Sequence, residues 1–170
     1  LLLATRRKAT PLPLRSTLRL ARLTADHLSD SLLLELRGLF GRNRTVVRTY
    51  SIRECTPITS TGLSWLDAQD KDVVGRPIGP SLRILEVDSD EIATNNMVGR
   101  IAIRGPGVMS GYEGACDASD SWTSDGWLLT GDFGLLRDDG LVEHHGRVID
   151  VLKQGDVQIR LCQVDAALSS

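Results

Sequence analysis

Five side chains carry the kinds of group that bind charged small molecules: Tyr50, Arg53 and Glu54 within one five-residue stretch, Asp132 after Thr130-Gly131, and Arg147 after Gly146. A tyrosine ring offers flat area and π contact. A glutamate supplies a hard oxygen suited to Mg²⁺, which keeps several waters and bridges to phosphates. An ionised aspartate has two acceptor oxygens and can take two hydroxyls at once. Arginine presents a planar, permanently charged fork. Each type also has a plain use: a tyrosine can cap a strand, a glutamate can sit in solvent and an aspartate can make a turn.

Other reactive types are less promising. His144 and His145 are adjacent in a strand-like segment, so their side chains point to opposite faces and cannot both bind one metal. Cys55, Cys116 and Cys162 stand 61 and 46 positions apart, which fits neither a CxxC metal site nor a disulfide framework of even count. Scattered reduced thiols of this kind suggest an intracellular and cytoplasmic protein, with an organelle left open. Gly105, Gly107 and Gly111 read as turn glycines.

The elements that must position these groups are short. Leu18, Leu20 and Leu23 alternate as in a strand. Ser29 can cap a helix over about 30–40, where Leu32, Leu33, Leu36, Leu39 and Phe40 recur at helical spacing before Gly41. Thr45 to Thr49 is β-branched and reads as a strand delivering Tyr50 to its end, followed by a loop with Pro57 and Gly62. Residues 81–88 and 99–104 alternate and form a hairpin-like pair. Leu128 to Thr130 and Gly134 to Leu136 read as two short strands, and Asp138-Asp139-Gly140 is a tight-turn signal leading into Leu141 to His144. After Gly146 the pattern suggests another short β pair or turn, with a helical start at Gln163 to Leu168. Strand, helix, strand and then hairpins describe the tail of an α/β domain with a small β subdomain.

Composition bounds the possible functions. The 170 residues carry 20 Lys+Arg against 22 Asp+Glu, a net charge of −2, which argues against a general nucleic-acid or membrane-surface binder. Hydrophobic residues at 41% and charged residues at 25% match folded soluble domains, so disorder of the whole chain is excluded. The longest uncharged apolar runs fall far short of the roughly 18 residues of a membrane helix. The first residue is Leu1, and the first 25 residues include six basic side chains and no acid. This resembles an organelle transit peptide, but the cut end of a longer polypeptide accounts for it better.

Five blocks then occur in a telling order: Tyr50-Ser51-Ile52-Arg53-Glu54-Cys55, Val74-Gly75-Arg76-Pro77, Gly99 through Tyr112 (GRIAIRGPGVMSGY), Asp125 through Asp132 (DGWLLTGD) and Gly146-Arg147. Together they resemble the adenylate-forming superfamily of acyl-CoA synthetases, luciferases and peptide-synthetase adenylation domains, over about residues 18–168. Any single block is common; five in register are specific. The resemblance implies an α/β fold, a fragment of an adenylate-forming N-terminal domain ending in a small, mostly antiparallel β subdomain. Residues 1–17 would be a cut or irregular end, 18–146 the end of the adenylation domain, and 147–170 the hinge and the start of a C-terminal lid.

The resemblance also implies roles. Tyr50 would stack on adenine, Glu54 would help hold Mg²⁺, Asp132 would accept both ribose hydroxyls, and Arg147 would contact ribose or phosphate. The glycines of the 105–111 loop would lie near the acyl end of the site. ATP or AMP and Mg²⁺ are the implied ligands, with a small carboxylate and CoA as co-substrates. No residue of this stretch is implied as catalytic.

The sequence departs from the family pattern in several places. Arg53 stands where the family has a threonine that meets the α-phosphate, so a cation there either clamps phosphate or blocks the pocket. The expected Gly-rich segment before the first helix reads Leu23-Thr24-Ala25-Asp26-His27, the hinge has Ile149, and Asp156 and Gln163 replace a glycine and an acid. Neither the Ser/Thr/Gly-rich phosphate loop nor the lid lysine occurs in the 170 residues. The expectation is therefore a fragment of an AMP-forming carboxylate–CoA ligase, inactive as an isolated chain, with a degenerate non-catalytic nucleotide-binding or interaction remnant as the alternative.

Overall fold

The computed structural model describes residues 19–24, 35, 45–62, 72–113 and 121–147, and the backbone of 151–154 and 157–160. Ten strands are assigned in these segments: β1 (Leu20–Leu23), β2 (Thr45–Ile52), β3 (Cys55–Ser60), β4 (Val73–Pro77), β5 (Ser81–Leu85), β6 (Gly99–Arg104), β7 (Leu128–Leu136), β8 (Val142–Arg147), β9 (Val151–Gln154) and β10 (Val157–Arg160). The first eight form one sheet in the order β1-β2-β3-β4-β8-β7-β6-β5, and β9 and β10 form a separate hairpin.

β1 and β2 run parallel, with Leu20 opposite Thr45 and Leu23 opposite Arg48. Parallel neighbours need a crossover of about a dozen residues or more, commonly a helix, and residues 24–44 supply that length. Of the helix expected over 30–40, only Glu35 is described, and it is helical. The rest of that helix, and the helical start expected at 163–168, lie outside the described residues. From β2 onward every pairing among the described strands is antiparallel. The chain thus passes from an α/β edge into a meandering β subdomain, the fold class expected from the order of its elements. Among the described residues no helix is long and apolar enough to cross a membrane.

The alternation seen in sequence sets the core. Ile84 on β5, Ile101 and Ile103 on β6, Leu128 on β7 and Val142 on β8 are almost wholly buried, and they join Tyr50, Cys55, Ile58 and Val74 in one apolar cluster. β5 and β6 pair without a break from Ser81–Arg104 to Leu85–Arg100. The Asp138-Asp139-Gly140 turn closes the β7–β8 hairpin: Gly140 adopts φ +79°, and its N–H donates to the Arg137 carbonyl at 2.9 Å. The short β pair expected after Gly146 is β9–β10.

Two local expectations are corrected. The segment with Pro57 is strand β3, and β2 runs past Tyr50 to Ile52, so the connection shrinks to the two-residue turn Arg53-Glu54. Pro57 is tolerated because the β2–β3 register shifts between Tyr50 and Ile52, where a missing N–H costs no regular ladder bond. Likewise Leu128 to Leu136 is one strand instead of two. β7 absorbs the irregularity at Gly131, which adopts φ +77°, and in the register shift against β8 between Asp132 and Gly134. A bulge of this kind bends a strand and re-aims a side chain, here at Asp132.

Candidate functional site

The tight β2–β3 turn pushes Arg53 and Glu54 out at one end of the sheet. The bulge in β7 brings Thr130 and Gly131 to the same end, and β8 finishes there at Arg147. These residues, with Ile52, line one open cavity of about 290 Å³. Residues separated by almost a hundred positions therefore share a wall because β2 and β8 finish, and β7 bulges, on the same side.

Behind that wall lies a buried polar cluster. The Tyr50 hydroxyl donates to Asp132 Oδ2 at 2.6 Å. The Asp132 side chain is 4% exposed, and Arg147 Nε stands 3.6 Å from its other oxygen, Oδ1. A buried carboxylate is costly unless it is hydrogen-bonded or paired, and the phenol and guanidinium answer that need from two strands. Asp132 N–H also donates to Thr130 Oγ1 at 3.3 Å, while Thr130 Oγ1 donates to the Ile101 carbonyl at 3.1 Å, tying the bulge to β6. Tyr50 belongs to the apolar core and is only 6% exposed, so its ring does not offer the open face that stacking on adenine requires.

Glu54 is held by the loop that follows β6. Its backbone carbonyl accepts from Met109 N–H at 2.9 Å, and its Oε1 accepts from the Tyr112 hydroxyl. The glycine-containing segment 105–112 thus leans on the β2–β3 turn, and a Cβ at Gly107 would lie 3.9 Å from Cys55 Sγ. Arg53 is exposed and faces the cavity from the same turn. Among the described residues no three His, Cys, Asp or Glu side chains gather as a metal cage. Glu54 stands as a single carboxylate on the cavity, a donor set that suits Mg²⁺ shared with phosphate and water.

The expected site residues therefore occupy one end of the sheet, Arg53, Glu54 and Arg147 on the cavity and Tyr50 and Asp132 directly behind it. Sequence reasoning missed Thr130 and Gly131 as lining residues, Tyr112 as the partner of Glu54, and His144. The His144 ring tilts at 42° against Tyr50, with centroids 5.3 Å apart, and its Nε2 lies 3.7 Å from Asp132 Oδ2. His145, on the opposite face, pairs instead with Glu143 at 3.1 Å. Period-two alternation carried the signal for opposite faces, but the identity of the neighbours needed the sheet order.

Trp127 lies in the same sequence block as Asp132 but is absent from the cavity lining. The Arg83 and Arg104 guanidinium carbons stand 4.2 Å and 5.0 Å from its ring centroid, a cation–π arrangement. Asp125 grips Arg83 through two 3.0 Å hydrogen bonds. The Arg83 bond, helped by Thr123, pulls the Asp125 carboxyl down to about 2.

The AMP-binding enzyme family profile matches residues 2–113. The oxalate–CoA ligase of Arabidopsis thaliana is 32% identical over 152 residues, which is 89% of this chain and 29% of that protein. Among solved structures, O-succinylbenzoate coenzyme A synthetase from Bacillus subtilis in complex with ATP and magnesium superposes with a TM-score of 0.75 at 26% identity, covering 89% of this chain and 31% of that one. Its complex with AMP gives a TM-score of 0.75 at 25% identity over the same shares of the two chains. The chain thus spans under a third of the length of these relatives.

Proposed function

Because the chain belongs to the AMP-binding enzyme family, we propose that it is the part of an AMP-forming carboxylate–CoA ligase that holds the adenosine and α-phosphate end of ATP. In the complete reaction a carboxylate oxygen attacks the α-phosphorus of ATP and pyrophosphate leaves with the bonding electrons. The sulfur of CoA then attacks the acyl carbon and AMP leaves. The observation that carries this reading is the convergence of Arg53, Glu54 and Arg147 on one cavity, with the Tyr50–Asp132 pair immediately behind it.

Each group has a role that its chemistry supports. Asp132 uses Oδ2 for Tyr50 and shares Oδ1 between Arg147 and the ribose hydroxyls. Tyr50 orients that carboxylate through its hydroxyl. Arg53 and Arg147 present two permanent charges to the phosphates, so Arg53 clamps the group that a threonine hydroxyl meets elsewhere in the family. Glu54 holds Mg²⁺, which when bound neutralises phosphate charge. Residues 18–146 form the adenylation portion in this reading, and 147–170 the hinge and the beginning of the lid.

A second reading concerns the 170-residue chain by itself. Attack at phosphorus depends on positioning and on charge neutralisation at the reacting centre, and the residues present serve the nucleotide half of that task. The chain alone then binds nucleotide without turnover, and Arg53 in the phosphate-contact position favours this. Calorimetry with AMP and ATP tests both readings. The expected result is binding in the millimolar range, lost in Asp132→Ala, with no carboxylate-dependent exchange of pyrophosphate into ATP. Absence of heat at millimolar nucleotide, or equal binding by Asp132→Ala, removes the nucleotide site. Pyrophosphate exchange above background removes the inactive reading.

A further inference from the structure

His144 is a buried group of the polar cluster that the proposed roles leave unused. Its side chain is 4% exposed, and its Nε2 finds no hydrogen-bond partner among the described residues. Val142, two residues earlier on the same face of β8, is wholly buried and apolar. An imidazole in such a place leaves a desolvated polar nitrogen that an aliphatic side chain would not. The nearest acceptor is Asp132 Oδ2, 3.7 Å away, the oxygen already held by the Tyr50 hydroxyl.

The surroundings leave few other partners. On β7 the facing charge is Asp132. On β2 the facing group is Tyr50, and the buried Arg48, two residues earlier, directs its Nη1 to the Val73 carbonyl at 3.4 Å. On the β4 side the Asp72 carbonyl accepts the backbone N–H of His144 at 2.9 Å. On β8 itself Glu143 and His145 pair with each other, and Arg147 reaches Asp132 Oδ1.

We infer that His144 is a positioning residue for Asp132: with its proton on Nε2 it closes on Oδ2 beside Tyr50 and leaves Oδ1, next to Arg147, turned to the vicinal hydroxyls of a ribose. The inference rests on the proposed role of Asp132 and adds a residue that fixes it. Two donors on one oxygen stop the carboxylate from rotating, and a carboxylate held still selects a diol over a sugar that lacks it.

The 170-residue chain is titrated with AMP and with 2′,3′-dideoxy-AMP, as wild type, His144→Leu and His144→Gln. Leucine is expected to weaken AMP roughly tenfold, the loss of a hydrogen bond to a charged group, and to leave the dideoxy ligand unchanged. Glutamine, whose amide N–H reaches a similar point, is expected to restore most of the difference. If both ligands weaken equally in His144→Leu, the residue is only structural and the inference fails. A second readout needs no nucleotide: the imidazole nitrogen signals of His144 are recorded by NMR in wild type and Asp132→Asn at one pH. The proton is expected on Nε2 in wild type, and the Nε2 signal is expected to move in the variant, because its acceptor has changed; identical signals overturn the inference. A moved signal with no nucleotide bound by any variant sustains the His144–Asp132 pair and refutes the ribose role of Asp132 instead.

Discussion

Tyr50 and Asp132 lie 82 positions apart and meet through a 2.6 Å hydrogen bond inside the protein. The bond spans β2 and β7, which are not neighbours in the sheet. It therefore joins the end of the α/β edge to the β subdomain and fixes the back wall of the cavity.

Removing the hydroxyl tests how much that bond stabilises. Tyr50→Phe keeps the ring in the core and leaves the buried Asp132 with one donor fewer. The expected loss is about 1–3 kcal/mol, read by urea unfolding with the denaturant slope unchanged. A loss below about 0.5 kcal/mol, the range of ordinary surface substitutions, would mean that water or Arg147 replaces the phenol.

Among the described glycines, Gly75 combines a left-handed backbone with a closely packed neighbour. It adopts φ +101°, and a Cβ there would lie 2.0 Å from the Ser60 carbonyl carbon, where β4 packs on β3. Gly75→Ala is expected to destabilise by at least about 2–3 kcal/mol through left-handed strain and overpacking together. Gly62→Ala meets nothing within 4 Å and serves as the control, with an effect within about 0.5 kcal/mol. Thermal melts of both variants decide it, and equal midpoints would contradict the packing of β4 on β3.

The Cys55 thiol is buried, and burial pushes its pKa above the ordinary thiol value. The thiolate is the reactive form. At pH 8 Cys55 is therefore expected to resist iodoacetamide in the folded chain and to react readily in denaturant, as followed by mass spectrometry of its peptide. Equal labelling in both states would show that the β2–β3 turn opens freely.

Asp125 supplies a pH dependence of known sign. Arg83, and then Thr123, hold its carboxyl at about 2, below its ordinary value of 3.8. A carboxyl lowered in the folded state contributes its stability above the unfolded pKa and loses it as pH falls through the folded one. The advantage of wild type over Asp125→Asn in melting temperature is thus expected to be full at pH 5 and to shrink between about pH 4 and pH 2. A difference that stays constant across that range would show that the Arg83–Asp125 pair contributes nothing in solution.

Legibility in the sequence followed the range of the interactions. Ile101 and Ile103 announce β6 because strict alternation has only one burial solution, and Asp138-Asp139-Gly140 announces its turn because Gly140 needs a left-handed φ. Pro57 concealed β3, since a proline inside a paired strand needs an interruption of the ladder, and that interruption is set by the partner strand. Gly131 made one strand look like two, because a local reading takes a left-handed glycine as an end and the ladder to β8 turns it into a bend. Among the site residues, Arg53 and Glu54 were legible as neighbours. Thr130, Tyr112 and His144 were not, because their partners lie on other strands.

By itself the sequence determined the local elements of the β subdomain and, through five ordered blocks, the family. Both are properties of short stretches whose side-chain period and turn chemistry act within a few residues. The tertiary structure alone decided that Tyr50 turns its hydroxyl to Asp132, that Arg53 and Arg147 share a cavity, and that a histidine stands in the buried cluster. Those facts depend on which strands become neighbours, and sheet order is fixed by burial of the whole apolar face rather than by any stretch of it.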